Sequence, residues 1–184
     1  MPKDPNRMYS VAISNYIQFL SIENDRINTY EDSLYEMIVE ETLTEFTTMA
    51  PFTTGPKPPA KLLAHSATRY ERNPKIGAQA IQLAQFRCHI NSNHQFFQSK
   101  RTHENYVEAH HLIPIAFQGL FSYGIDEVEN IVTLCPVCHR QIHYAEDYQR
   151  KEMIHSLHAA FSAQLQTIGI ELSKKELLSL YDIT

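Results

Sequence analysis

The sequence predicts an α+β protein, mostly helical, in which two short strands and one helix form a small ligand-rich centre flanked by N- and C-terminal helices. Three observations predict this. Long stretches repeat apolar residues at helical spacing, and two short β-branched or aromatic runs stand near the middle. In addition, 7 of the 10 histidines and all three cysteines fall between Cys88 and His143.

The elements follow in order. Over Asn6–Ile22, Met8, Val11, Ala12, Tyr16, Phe19 and Leu20 keep helical register, with Asn6 placed to cap. Asn28–Met49 repeats the pattern through Tyr30, Leu34, Ile38, Leu43 and Phe46, while Glu31, Asp32, Glu36, Glu40, Glu41 and Glu45 are expected on a solvated face or in the first turn. The proline-dense stretch from Ala50 to Pro59 breaks helix and central strand alike, which makes it the expected boundary between an acidic helical region, 1–59, and a domain over 60–184. Pro74 suits the first position of a helix carrying Ile76, Ala80, Ile81 and Ala84. A strand ending in His110 and His111 and a second from Asn130 to Cys135 are joined by a loop with Gly119 and Gly124. Pro136 then opens a helix, Asp147–Ile168 forms a long one, and Ser173 with Glu176 is a capping box for the last.

Composition bounds the function. Hydrophobic residues at 43% and charged residues at 20% are ordinary for a water-exposed globular domain, and no apolar run reaches the roughly 20 residues of a membrane span. Met1–Arg7 is polar and no secretory pattern follows, so a cytoplasmic protein is expected, without membrane partners. Three cysteines leave one unpaired in any disulfide scheme and read better as metal ligands. The formal charge of -5 is local in origin: residues 1–60 hold 4 basic and 9 acidic side chains, the remainder 12 of each. The centre is thus not barred from meeting phosphate.

Spacing nominates ligands. His139 and His143 lie one helical turn apart on one face and can reach a single cation. Cys135 and Cys138 bracket a tight turn suited to tetrahedral zinc, and Cys88 is a plausible third ligand. His94 is the first choice for the fourth, with His89 and Asn91 as competitors. Such a structural Zn2+ would give rigidity to a core too small to fix its loops by packing.

Taken together, Glu108-Ala-His110-His111-Leu-Ile-Pro114 followed by Asn130-Ile-Val-Thr-Leu-Cys-Pro-Val-Cys-His139-Arg-Gln-Ile-His143 resembles the HNH nuclease family of ββα-metal enzymes. The resembling core spans about residues 86–146, and the flanking helices look like those of restriction enzymes that act on modified DNA. The resemblance implies a metal-dependent endonuclease that hydrolyses DNA phosphodiester bonds in restriction, phage defence or a mobile element. His111 would be the general base, and Asn130 would hold the loop that aims it, direct metal contact being its lesser role. His110, His139 and His143 would hold the catalytic divalent cation. Many members place aspartate where this chain has His110; imidazole favours softer ions and carboxylate favours Mg2+, so the cation stays open among Mg2+, Mn2+, Ni2+ and Zn2+. Arg140, Lys100 and Arg101 are candidates for phosphate contacts.

Other residues receive plainer expectations. Phe96, Phe97, Phe117 and Phe121 are expected to fill space around the core rather than stack on bases. Glu108 is a candidate to orient His111 or a water, although strand alternation puts it on the face of His110. His65, His103, His155 and His158 are expected outside the chemistry. The alternative from another class is a zinc-stabilised module that binds nucleic acid or protein without catalysis. The acidic N-terminal region is a candidate surface for a homodimer or a protein partner, and no motif specifies a recognition sequence.

Overall fold

A computed structural model describes residues 16, 30–45, 54–63 and 69–183. The helix expected over Asn6–Ile22 lies outside them apart from Tyr16, which is helical, and His65 also falls outside. The chain divides into two compact units, Met1–Met37 and Ile38–Thr184. Among the described residues no helix is long and apolar enough to cross a membrane.

The acidic stretch is helical over residues 30–45 (α1). Its buried pair is Tyr35 and Val39, whereas Leu34 and Ile38, expected inside, are exposed. The helix is therefore rotated by about one residue from the face that spacing suggested. Glu40, next to the buried Val39, accepts a hydrogen bond from the Ser99 hydroxyl and faces Arg101 at 3.8 Å.

Helix α2, Pro74–Leu83, starts where Asn73 caps the Lys75 N–H and proline takes the first turn. Strands β1, Glu108–His111, and β2, Ile131–Leu134, pair antiparallel, with His110 opposite Val132 and His111 opposite Ile131. All four residues of β2 are buried, which a two-stranded sheet achieves only when both faces are covered. The helices that touch both strands are α2 and α3, Pro136–Tyr144. A long α4, Asp147–Thr167, then lays Met153, Ile154, Leu157, Phe161 and Leu165 into a core shared with Leu112, Ile113, Ile125, Val132, Leu134 and Ile142.

The last helix, α5, Lys174–Ser179, has the expected reciprocal cap: the Ser173 hydroxyl accepts the Glu176 N–H and the Glu176 carboxylate accepts the Ser173 N–H. Those bonds hold the Glu176 carboxyl below its ordinary range. Asp182 takes a left-handed φ of 55°, and the Ile183 N–H returns to the Leu178 carbonyl, so the helix stops and Tyr181 is left buried. The architecture is α+β with a minimal sheet between helices, as the sequence predicts.

Candidate functional site

Two clusters of ligand atoms form among the described residues: Cys88, His94, Cys135 and Cys138, and separately His110, His139 and His143, each with its donor atoms within 4.8 Å of one another. The first is built at the start of α3. Cys135 is its N-cap and its Sγ accepts the Cys138 N–H, so the helix terminus that needs an acceptor receives a sulfur. His94 Nδ1 stands 3.5 Å from the Cys135 sulfur and 3.4 Å from that of Cys138. Tetrahedral zinc with ordinary bond lengths would put sulfur and nitrogen ligands about 3.6 Å apart.

Of the competitors for the fourth place, His89 is occupied elsewhere. Its backbone N–H donates to the Thr133 carbonyl, its Nδ1 accepts the Thr133 N–H, and its ring meets Phe161 edge-on. Burial lowers its pKa, leaving a neutral ring. Asn91 instead builds the turn, accepting the Asn93 N–H on its side chain and the His94 N–H on its carbonyl. The contact with Cys138 holds the Cys88 thiol down at about 4, while burial pushes Cys135 up and the contact with Cys88 pushes Cys138 up. Three crowded thiols cannot all ionise by themselves; a cation removes that conflict.

The second cluster joins β1 to α3. The rings of His110, His139 and His143 form a nearly equilateral triangle, with centroids 5.0, 4.9 and 5.0 Å apart. Three imidazoles bound to one ion at about 2.05 Å, at angles near 100°, would place their centroids about 4.9 Å apart. The Nε2 atoms of His139 and His143 are separated by 3.2 Å, again the spacing of two nitrogens on one ion.

Each of two members has a partner behind it. The Glu108 carboxylate accepts a hydrogen bond from His139 Nδ1 at 2.6 Å, which leaves Nε2 to face the cluster. His110 Nε2 meets the Tyr181 hydroxyl at 3.1 Å, and that hydroxyl donates to the Leu112 carbonyl at 2.8 Å. Burial, reinforced by the neighbouring histidines, drives the pKa of His110 well below its ordinary value, so the ring is neutral and able to ligate. Burial likewise pushes the Tyr181 phenol up and keeps its proton on.

His111 points to a third feature. Its Nε2 lies 2.9 Å from Asp126, whose other oxygen accepts the Asn73 N–H ahead of α2. Asn130 is fully buried; its oxygen accepts the Ile113 N–H and its amide donates to the carbonyls of Ile113 and Ile125. It ties the segment just after His111 to the loop just before Asp126. All three of these hydrogen bonds go to backbone.

Arg140 is exposed and lies over the Tyr144 ring at 5.9 Å, and Lys100 is exposed. Arg101 is exposed but leans toward Glu40. Phe96 and Phe97 do not fill the core: they are 55% and 54% exposed, with Phe97 stacked on Tyr106. Phe121, by contrast, packs against the core. His158 bonds the Leu172 carbonyl and takes no part in either cluster.

Sequence reasoning missed Asp126 and Tyr181 and mistook the target of Glu108. Alternation did carry the signal for Glu108, since the face it shares with His110 is the one that meets α3. Nothing in the local pattern marked Asp126, which sits in a loop, or Tyr181, 71 residues from His110.

Residues 87–145 match the family model described as HNH endonuclease. Over 90 residues the chain is 34% identical to the type IV methyl-directed restriction enzyme EcoKMcrA of Escherichia coli (strain K12), a match that covers 48% of this chain and 29% of that protein.

Proposed function

We propose, from the match of residues 87–145 to HNH endonucleases, that the protein is a metal-dependent DNA endonuclease working in restriction, and that its substrate is modified DNA, as the name of its relative suggests. The observation that carries the proposal is the convergence of His110, His139 and His143 on one point, beside a separate Cys3His knuckle. A binding module held together by zinc has no need of the second cluster.

A divalent cation at the three histidines would polarise a phosphate oxygen and neutralise charge on the leaving 3′ oxygen. His111 takes the proton from the attacking water, and the Asp126 carboxylate holds the ring by Nε2–H and stabilises the imidazolium that results. Asn130 keeps the chain on either side of that pair fixed, so its part in the reaction is positional. Glu108 is bonded to His139, so among the described residues the cluster would offer a cation three imidazoles and no carboxylate, a donor set that favours Mn2+, Co2+, Ni2+ or Zn2+ over Mg2+. Cys88, His94, Cys135 and Cys138 would hold Zn2+ in a purely structural role. Arg140 and Lys100 serve as phosphate contacts, and Arg101 joins them when it leaves Glu40.

The test is incubation with supercoiled plasmid, modified and unmodified, across Mg2+, Mn2+, Ni2+ and Co2+. His111→Ala is expected to abolish cutting while the protein still folds and keeps its zinc content, with the modest loss of stability that follows from leaving Asp126 without its ring partner. Unchanged cutting by that variant removes the assigned base.

A further inference from the structure

The C-terminal segment lies outside the residues that match the HNH family, yet just beyond α5 it carries a side chain that touches the three-histidine cluster. Tyr181 is 7% exposed and its hydroxyl reaches three groups of β1 and its continuation, His110 Nε2 at 3.1 Å, the Leu112 carbonyl at 2.8 Å and, more distantly, the His111 carbonyl at 3.4 Å. A phenol carries one proton. A hydroxyl oxygen and a carbonyl oxygen 2.8 Å apart must have a hydrogen between them, since a carbonyl has none to give. The proton of Tyr181 is therefore committed to Leu112. The contact with His110 must then be an N–H from the ring to the phenol oxygen. A ring that carries its hydrogen on Nε2 has its lone pair on Nδ1.

We propose that Tyr181 is a positioning residue for His110: by accepting Nε2–H it fixes the tautomer and rotation of the ring, so that Nδ1 is the atom presented to the cation. The inference rests on the reading of His110 as a ligand and adds to it the donor atom and the residue that selects it. Glu108 performs the matching task for His139, where Nδ1 is occupied and Nε2 faces the cluster. The two histidines thus use opposite nitrogens, each chosen by the partner behind it. Tyr181 is itself held by Arg150, whose guanidinium donates to the Tyr181 carbonyl at 2.9 Å and to the Ile142 carbonyl in α3 at 3.1 Å. One arginine on α4 thereby ties the tyrosine to the helix that supplies His139 and His143. The C-terminal segment is on this view part of the metal site, and not an appendage to it.

Long-range proton–nitrogen NMR on the full chain carrying its knuckle zinc, with further Zn2+ titrated in, reads the tautomer without any cleavage assay. Before titration His110 is expected as the Nε2–H tautomer; on titration its Nδ1 should take the shift of a metal-bound nitrogen while Nε2 keeps its hydrogen. Tyr181→Phe, which keeps the ring and its packing, should release the tautomer preference and weaken binding of the titrated ion by about 10- to 100-fold. Its knuckle zinc should be retained. A zinc shift at Nε2 of His110, or an unchanged tautomer and affinity in Tyr181→Phe, overturns the role of Tyr181 while leaving His110 a ligand. If titrated zinc moves none of His110, His139 and His143, the metal-site reading fails and this inference with it.

Discussion

Replacing Asn130 with Ala separates a loop-holding residue from a metal ligand, and its cost can be worked from three hydrogen bonds. The side chain is 0% exposed and satisfies the N–H and carbonyl of Ile113 and the carbonyl of Ile125 at 2.8, 3.0 and 2.8 Å. Each such bond contributes about 1 kcal/mol net, and a buried partner left unsatisfied costs about 1–3 kcal/mol. Three orphaned backbone groups with no route to solvent therefore sum to about 3 kcal/mol at least. For a chain of this size that lowers Tm by about 6–12 °C. Thermal unfolding followed by circular dichroism, paired with Ni2+ titration of the folded protein at low temperature, reads both quantities. The expected result is a large loss of Tm with Ni2+ affinity within about threefold of wild type. A Tm within about 2 °C of wild type, or a Ni2+ site abolished in a protein that is still folded, refutes the reasoning.

Other outcomes follow from the same contacts. Glu108→Gln replaces an acceptor that holds the Nδ1–H of His139 by charge, and is expected to weaken binding of the catalytic ion by about 10- to 100-fold with little change in fold, as isothermal titration would show. Cys138→Ser should lose the single tightly held zinc per chain in elemental analysis and, with it, cooperative unfolding, since the knuckle also supplies the N-terminal cap of α3. The pH dependence has a defined sign. His110 is folded with a pKa well below 6.5, so above that value it is neutral in both states, and as pH falls below 6.5 the unfolded chain binds a proton that the folded one refuses. Protein without a catalytic ion should thus lose stability as pH is lowered from about 6.5, by up to about 1.4 kcal/mol per pH unit from this group. In His110→Gln the slope should flatten; an equal slope in chemical denaturation would assign the effect to another group.

The legible parts of the sequence were those in which local chemistry and tertiary need coincide. Pro74 and Pro136 open helices, Ser173 and Glu176 cap one, and the short β-branched runs pair as strands because each signal acts within a few residues. The seven side chains proposed as ligands gather into two groups, four and three, that could each hold an ion, and spacing along the chain had already nominated most of them. What escaped were choices made at long range. Which face of α1 is buried, Tyr35 and Val39, was one, and so were the contacts of Glu40 with Arg101 and with Ser99, 59 residues away in the chain. The partners of His110 and His111 are a tyrosine beyond α5 and an aspartate in a loop, and neither residue type is unusual where it stands.

The account stands or falls on whether the three-histidine cluster holds a hydrolytic ion distinct from the knuckle zinc. Cleavage of supercoiled plasmid by wild type and by His139→Ala, each prepared with one zinc per chain and then given Mn2+, Co2+ or Ni2+, tests this most directly. Wild type should nick or cut on addition of at least one of these ions and His139→Ala should not. Equal cutting by the two proteins, or none by wild type with any ion, would contradict it.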